Sequence, residues 1–210
     1  MKKGVVTIKV LFVTSEATPF IKTGGLGDVS GALPQALKKK GVDIRVVLPF
    51  YQAIGDMRQK AHFKTSFYID NSWRKQYCGI FEANIDGLTY YLIDNEYYFK
   101  RAAVYGEFDD GERFAYFCRA VMEMLAYVDF IPDVLHLNDW QAAFCAVLLH
   151  AQYAARPGYA LIKSVYTIHN IEFQGKFDPY ILGNVFGLGE GEKPLLYYND
   201  CINLSKGAIE

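Results

Sequence analysis

Two nearly continuous apolar, β-branched runs flank a stretch of helical periodicity at the front of this chain, and that unit limits the fold more than any other feature. Thr7 to Thr14 has the pattern of a strand with no solvent face, as expected where both sides are covered. A loop from Ser15 to about Gly27 follows, carrying Pro19 and the adjacent Gly24 and Gly25. Val29, Leu33, Ala36 and Leu37 then recur at helical spacing until Gly41 supplies a stop. Ile44 to Leu48 is a second buried strand, ended by Pro49. Strand, helix, strand in this order predicts a parallel pair joined by a right-handed crossover.

The texture then changes. Residues 62–70, 76–85 and 88–93 alternate aromatic and β-branched residues with polar ones, and Asp86-Gly87 between the last two runs is a hairpin signal. An antiparallel excursion on the parallel sheet is expected. Residues 100–111 are polar and irregular, and Phe114 to Val128 is helical by period. Asp133 to Leu137 is a strand, Trp140 to Tyr153 a helix and Lys163 to Ile168 a strand. Residues 171–192 hold five glycines and are expected to form a functional loop with short helices. Cys201 to Glu210 has the pattern of a helix barely begun. The alternation predicts an α/β fold, a Rossmann-like doubly wound, mostly parallel sheet with an antiparallel hairpin excursion. One domain over residues 1–210 is expected, with an engineered cut at its C-terminal end.

Composition removes several function classes. Lysine and arginine number 22 against 23 acids, for a net charge of −1, so a general nucleic-acid binder is not expected. The basic run Lys38-Lys39-Lys40 closes the first helix, where cations complement the helix dipole. Cys78, Cys118, Cys145 and Cys201 lack the short spacing of a zinc knuckle or redox pair and are expected to be free thiols of a cytoplasmic protein. Met1-Lys2-Lys3 resembles a secretory n-region, but Lys9 interrupts the apolar run after it and no small-residue cleavage site follows. No segment approaches the roughly 18 consecutive apolar residues of a membrane span.

In open α/β sheets, ligands bind outside the carboxyl ends of the strands, and three polar segments follow predicted strands. The first is Lys22-Thr23-Gly24-Gly25-Leu26-Gly27-Asp28-Val29. Its glycines allow close backbone approach, a helix N-terminus offers N–H groups to phosphate, and Lys22 adds a positive charge. It is not a dinucleotide fingerprint. Ser30 stands where the third glycine belongs, and Pro49-Phe50-Tyr51 stand where an acid would hold the ribose. The second is His136-Leu137-Asn138-Asp139-Trp140-Gln141-Ala142. Here Asp139 fits a helix N-cap or a sugar ligand, and Trp140 fits an apolar wedge better than a stacking platform. The third is Tyr166-Thr167-Ile168-His169-Asn170-Ile171-Glu172-Phe173-Gln174-Gly175. A histidine there either satisfies a backbone carbonyl in the core or donates to a hydroxyl or a developing charge. The three segments, 22–28, 139–141 and 169–175, are expected to converge at one rim of the sheet.

Together these strings resemble the glycogen and starch synthase family. The most specific part runs from Lys9-Val10-Leu11-Phe12-Val13-Thr14-Ser15-Glu16-Ala17 through Pro19-Phe20 to Lys22-Thr23-Gly24-Gly25-Leu26-Gly27-Asp28-Val29. Asn138-Asp139-Trp140-Gln141, Thr167-Ile168-His169-Asn170 and Ile202-Asn203-Leu204-Ser205-Lys206-Gly207 follow in order. The resemblance implies the N-terminal half of a GT-B glycosyltransferase, in which two Rossmann-like domains face a cleft. It implies transfer of glucose from ADP-glucose to the non-reducing end of an α-1,4-glucan with retention, using no metal and no cofactor. By the same resemblance Lys22, Gly24 and Gly25 face the donor phosphates and sugar. Asp28, Asp139, His169 and Asn170 surround the glucosyl group and acceptor, with His169 and Asp139 as the catalytic candidates. Tyr105 matches a tyrosine near the donor, Gln174 and Lys206 are subsidiary, and Gln141 has no assigned role.

Retaining glycosidases use a carboxylate nucleophile, and none stands out here. Front-side attack assisted by the leaving phosphate is what the family resemblance implies, with His169 positioning the sugar. The principal phosphate-gripping cations of such enzymes lie in the second, C-terminal domain, which is the chief partner expected and without which this polypeptide is expected to be inactive. Two other readings stay open. One is a stand-alone glucan-binding or regulatory module, and the other a GT-B transferase using UDP-glucose.

Overall fold

A computed structural model describes residues 7–210. The n-region reading of Met1-Lys2-Lys3 falls outside the described residues. Seven strands form one sheet in the order β3 (His62–Asn71), β4 (Arg74–Ile85), β5 (Leu88–Asp94), β2 (Asp43–Pro49), β1 (Lys9–Val13), β6 (Val134–Asn138), β7 (Lys163–Thr167). The five strands from β5 to β7 are mutually parallel, and β3, β4 and β5 pair antiparallel.

β1 (Lys9–Val13) lies at the centre, paired with β2 (Asp43–Pro49) on one side and β6 (Val134–Asn138) on the other. Leu11, Phe12 and Val13 are wholly buried, which explains the absence of a polar face in the sequence. From β1 the chain passes through α1 (Gly25–Lys39) to β2. From β6 it passes through α4 (Trp140–Leu148), prolonged by a π turn over Leu149–Tyr153, to β7 (Lys163–Thr167) on the opposite side. Right-handed crossovers in opposite directions place α1 and α4 on opposite faces, and the strand order reverses at β1/β6. A crevice therefore opens above the carboxyl ends of β1 and β6.

The excursion comprises β3 (His62–Asn71), β4 (Arg74–Ile85) and β5 (Leu88–Asp94). Asp86 (φ +51°) and Gly87 (φ +76°) close the β4–β5 hairpin opposite Ile85–Leu88, as the turn chemistry predicts. β5 then returns to the parallel set beside β2. α2 (Glu96–Phe99) follows, and α3 (Asp110–Met124) packs on α4 and on the excursion. α3 is apolar almost all round because it is interior. Val121, Met122 and the aromatic run Phe114 to Phe117 are fully buried.

Several boundaries differ from the sequence expectation. α1 begins at Gly25, four residues before Val29, because Gly25-Leu26-Gly27-Asp28 is helical rather than loop. α3 begins at Asp110, not Phe114, and ends four residues sooner. The Cys201–Glu210 stretch is not one helix. β10 (Cys201–Asn203) pairs with β8 (Lys176–Phe177) and β9 (Tyr197–Tyr198) in a small antiparallel sheet, and α7 (Leu204–Ile209) starts only where the Asn203 side chain accepts the Lys206 N–H. Between them lie α5 (Ile181–Asn184) and α6 (Lys193–Leu196). All four cysteines are free; Cys78, Cys118 and Cys145 are buried and Cys201 is partly exposed. Burial pushes the Cys78 thiol up to about 12. Among the described residues no helix is long and apolar enough to cross a membrane.

Candidate active site

The crevice is a pocket of about 830 Å³. The loop after β1 contributes Glu16 and Thr23 to Leu26, the junction after β6 contributes Asp139 to Gln141, and the loop after β7 contributes His169, Asn170 and Phe173. Tyr105 and Gly106 close it from the irregular segment before α3, and Asp110 from the first position of that helix. The three segments singled out in the sequence thus meet at one rim of one sheet.

The first wall is built on Glu16. Its carboxylate is buried, accepts the Thr23 N–H and the Thr23 hydroxyl (3.0 Å), and lies 3.4 Å from the Gly24 amide. Those amides are therefore occupied, whereas the sequence alone left the whole glycine turn open to phosphate. The N–H groups still available are the first ones of α1, whose N-cap, Gly24, offers no side chain. A Cβ added at Gly24 or Gly25 would meet nothing within 4 Å, so these glycines keep pocket space clear rather than relieve the fold. Gly27 is different, since its Cβ would press on Lys22 at 3.0 Å.

The second wall centres on Asp139, which holds φ +57°, ψ 177°. That region is almost confined to glycine and costs on the order of 1–3 kcal/mol for other residues. The N-cap expectation fails here, because the carboxylate makes no bond to its own helix. It reaches across the sheet instead, accepting the backbone N–H of His169 (2.7 Å) and of Asn170 (3.3 Å). The strained backbone is the means of turning this carboxylate toward the neighbouring loop.

His169 is exposed and faces the pocket, with its Nε2 2.9 Å from Asn138 Oδ1. Asn138 is locked by donating to the carbonyls of Val13 and His136, both at 3.1 Å, so it can present its Oδ1 only to the imidazole. The buried core-histidine alternative does not apply to His169. The half-buried histidine of this region is His136, which bonds Thr167 Oγ1 at 2.8 Å and whose pKa is lowered by burial and by nearby His169. Trp140 is a wedge, edge-on to Phe114 and Phe177, and it leaves no room for a side chain at Gly175, where a Cβ would meet its ring at 2.8 Å. The Tyr105 hydroxyl shares a 2.7 Å hydrogen bond with Ser15 Oγ, and burial first, then the Glu16 charge, pushes its pKa up. It stays a neutral phenol.

Not every candidate faces this space. Lys22 and Asp28 pair with each other at 2.7 Å, both well exposed, outside the residues lining the pocket. Gln174 donates to Ile171 O (2.9 Å), accepts from Asn203 (2.8 Å) and lines an adjoining hollow of about 300 Å³. Lys206 donates to the Pro194 and Leu195 carbonyls and anchors α7 to α6. Sequence reasoning named neither Glu16 nor Asp110 as a pocket residue, and Phe173 only as part of the 169–175 segment. Among the described residues no cluster of histidines, cysteines and acids could hold a metal ion.

A sheet wound both ways from a central strand, with its pocket where the order reverses, defines a Rossmann-like, doubly wound domain with a ligand site at its switch point. The family model for the starch synthase catalytic domain matches residues 9–210, and the chain belongs to that family. It is 51% identical over 206 residues to a glycogen synthase of Clostridium botulinum (strain Eklund 17B / Type B), covering 96% of this chain and 43% of that protein. A glycogen synthase of Anoxybacillus flavithermus is 52% identical over 205 residues, with 96% and 42% covered. Among solved structures, the catalytic domain of starch synthase IV from Arabidopsis thaliana, bound to ADP and acarbose, superposes with a TM-score of 0.83 at 31% identity. That match covers 97% of this chain and 43% of the other. The chain thus spans less than half the length of these relatives.

Proposed function

We propose that this chain forms one wall of the active site of an ADP-glucose-dependent glycogen synthase, which extends an α-1,4-glucan at its non-reducing end with retention. The observation that carries the reading is the joining, in one pocket, of an uncapped helix N-terminus with the Asp139–His169–Asn170 turn. Transfer of glucose separates a diphosphate from an oxocarbenium-like sugar, and each needs its own complement. The N–H groups opening α1 favour the anionic side. Lys22 can join them only by leaving Asp28. His169, held by Asn138, and the neutral Tyr105 phenol offer hydrogen bonds to sugar hydroxyls. Asp139 acts on the reaction through the backbone it fixes. The remaining phosphate-binding cations and the base pocket belong to a second domain of the kind the longer relatives have room for. The free thiols fit a cytoplasmic setting.

Glucosyl transfer to maltotetraose, followed with ADP-glucose and UDP-glucose on the full-length polypeptide and on the 210-residue chain, tests this. Transfer from ADP-glucose by the full-length form alone is expected. Extension by the 210-residue chain would refute the half-site reading, and glucan binding without transfer by the full-length form would favour a binding module.

A further inference from the structure

Beneath the pocket lies a guanidinium no ligand can reach. Arg113, in the first turn of α3, is fully buried. Its Nε donates to the Tyr98 carbonyl at 2.9 Å, and its Nη1 pairs with the Asp110 carboxylate and lies 3.4 Å from the Val104 carbonyl. The other Asp110 oxygen accepts the Gly106 N–H at 2.7 Å. Tyr105 is thus gripped on both flanks, at the carbonyl before it and the amide after it, by one Arg113–Asp110 unit.

Beyond the Tyr105–Ser15 hydrogen bond and the pairing of Arg101 with Glu107 and Asp109, the segment has little to define it. Val104 is its one buried residue from Ala102 to Phe108, and Phe108 is 97% exposed. Gly106 turns the chain at φ +87°. Stability alone does not account for the arginine either. Its Nη2 has no partner among the described residues, and replacing a buried ion pair as a whole by apolar side chains is often neutral or stabilising.

We propose that Arg113 is a positioning residue for the pocket: it sets Tyr105 and Asp110 at the height where their oxygens meet a bound sugar, without touching that sugar itself. This rests on the pocket being the glucan and glucosyl site. The order it imposes is placed in advance of binding, which is where misplacement by a fraction of an ångström costs rate.

The test uses Arg113→Met, which keeps the length and loses the charge, and Arg113→Lys, which keeps the charge and loses the fork. Both are made in the full-length polypeptide. Backbone hydrogen exchange over residues 103–111 is expected to quicken about tenfold in Arg113→Met while exchange in β1 stays as in the parent. With maltotetraose and ADP-glucose, kcat should fall about tenfold and KM for maltotetraose should rise, Arg113→Lys recovering part of both. Parental exchange, kcat and KM in Arg113→Met would overturn the proposal. So would uniform loosening of the whole sheet with kcat per folded molecule unchanged. If Arg113→Met does not fold, the same measurements on Arg113→Lys decide, through a KM shift with the melting temperature preserved or through its absence. A parent that neither binds maltotetraose nor transfers glucose would overturn the reading of the pocket itself, a result distinct from an active parent with indifferent variants.

Discussion

The two walls of the pocket are each organised by one carboxylate accepting two backbone N–H groups, yet they are built in opposite ways. Glu16 is 3% exposed and closes a loop on itself, its partners being seven and eight residues on. Asp139 is partly exposed and fixes a turn thirty residues away on the next strand. The glycine loop carries its own template, whereas the His169–Asn170 turn borrows one from β6. Its shape therefore depends on sheet register and on a backbone conformation that is costly where it stands.

The comparison breaks first at Asp139. Asp139→Ala should lower glucosyl transfer by about 10²-fold, as misplacing the groups of the turn it fixes does. Asp139→Gly should be as poor a catalyst but more stable than the alanine variant, since it accepts the positive φ. Equal melting of the two would show that the strain has been misjudged. His169→Ala should cost about 10²-fold in kcat with only about 1 kcal/mol of stability, the worth of its bond to Asn138. A large melting loss with turnover intact would return His169 to a structural role. At the other wall, Glu16→Gln keeps an acceptor and loses the charge. Denaturant unfolding should register a loss of about 1–2 kcal/mol, with transfer reduced less than in Asp139→Ala.

Gly25→Ala should be neutral or stabilising by about 0.5–1 kcal/mol, as expected for alanine in a helix, while KM for ADP-glucose rises. Destabilisation there would mean that the fold, not the ligand, requires the glycine. The smallest effect is one of pH. His136 is held neutral below its usual pKa of about 6.5, so the unfolded chain takes up a proton first. Its contribution is intact above that value and is lost as pH falls toward the lowered folded pKa. Acid should therefore quicken hydrogen exchange at residues 167–170, which His136 ties through Thr167, before it does so at residues 23–25.

What could be read in advance follows from the same contrast. β1, β2, the Asp86-Gly87 hairpin and the strand–helix rhythm after Asp133 were legible because burial on both faces and turn chemistry write local patterns. The start of α1 was not, since Gly25-Leu26-Gly27-Asp28 has low helix propensity and is held by Lys22 and Thr18 of the preceding loop. β10 was hidden because three residues carry no period, and their partners at Lys176–Phe177 are distant in sequence. Glu16 gave one faint signal, a charge among the apolar residues of an otherwise uncharged stretch from Val10 to Ile21. Nothing in sequence distinguishes Asp139 as a cap of its own helix from Asp139 as a template for another loop. That choice is made by one backbone dihedral.

The tip of the β3–β4 hairpin carries a different kind of consequence. Ser72 donates to Gly183 O (2.8 Å), the Trp73 indole to Asn184 Oδ1 (2.8 Å) and Arg74 to Asn184 O (2.7 Å). From behind, Arg119 holds the Phe186 carbonyl at 2.8 Å. The stretch so moored runs back through Ile181 to Phe177, which packs on Trp140 at the crevice floor. The excursion that interrupts the parallel order is thus a guy-line, and trimming it as an ornament would slacken the ground on which the rim of the pocket stands.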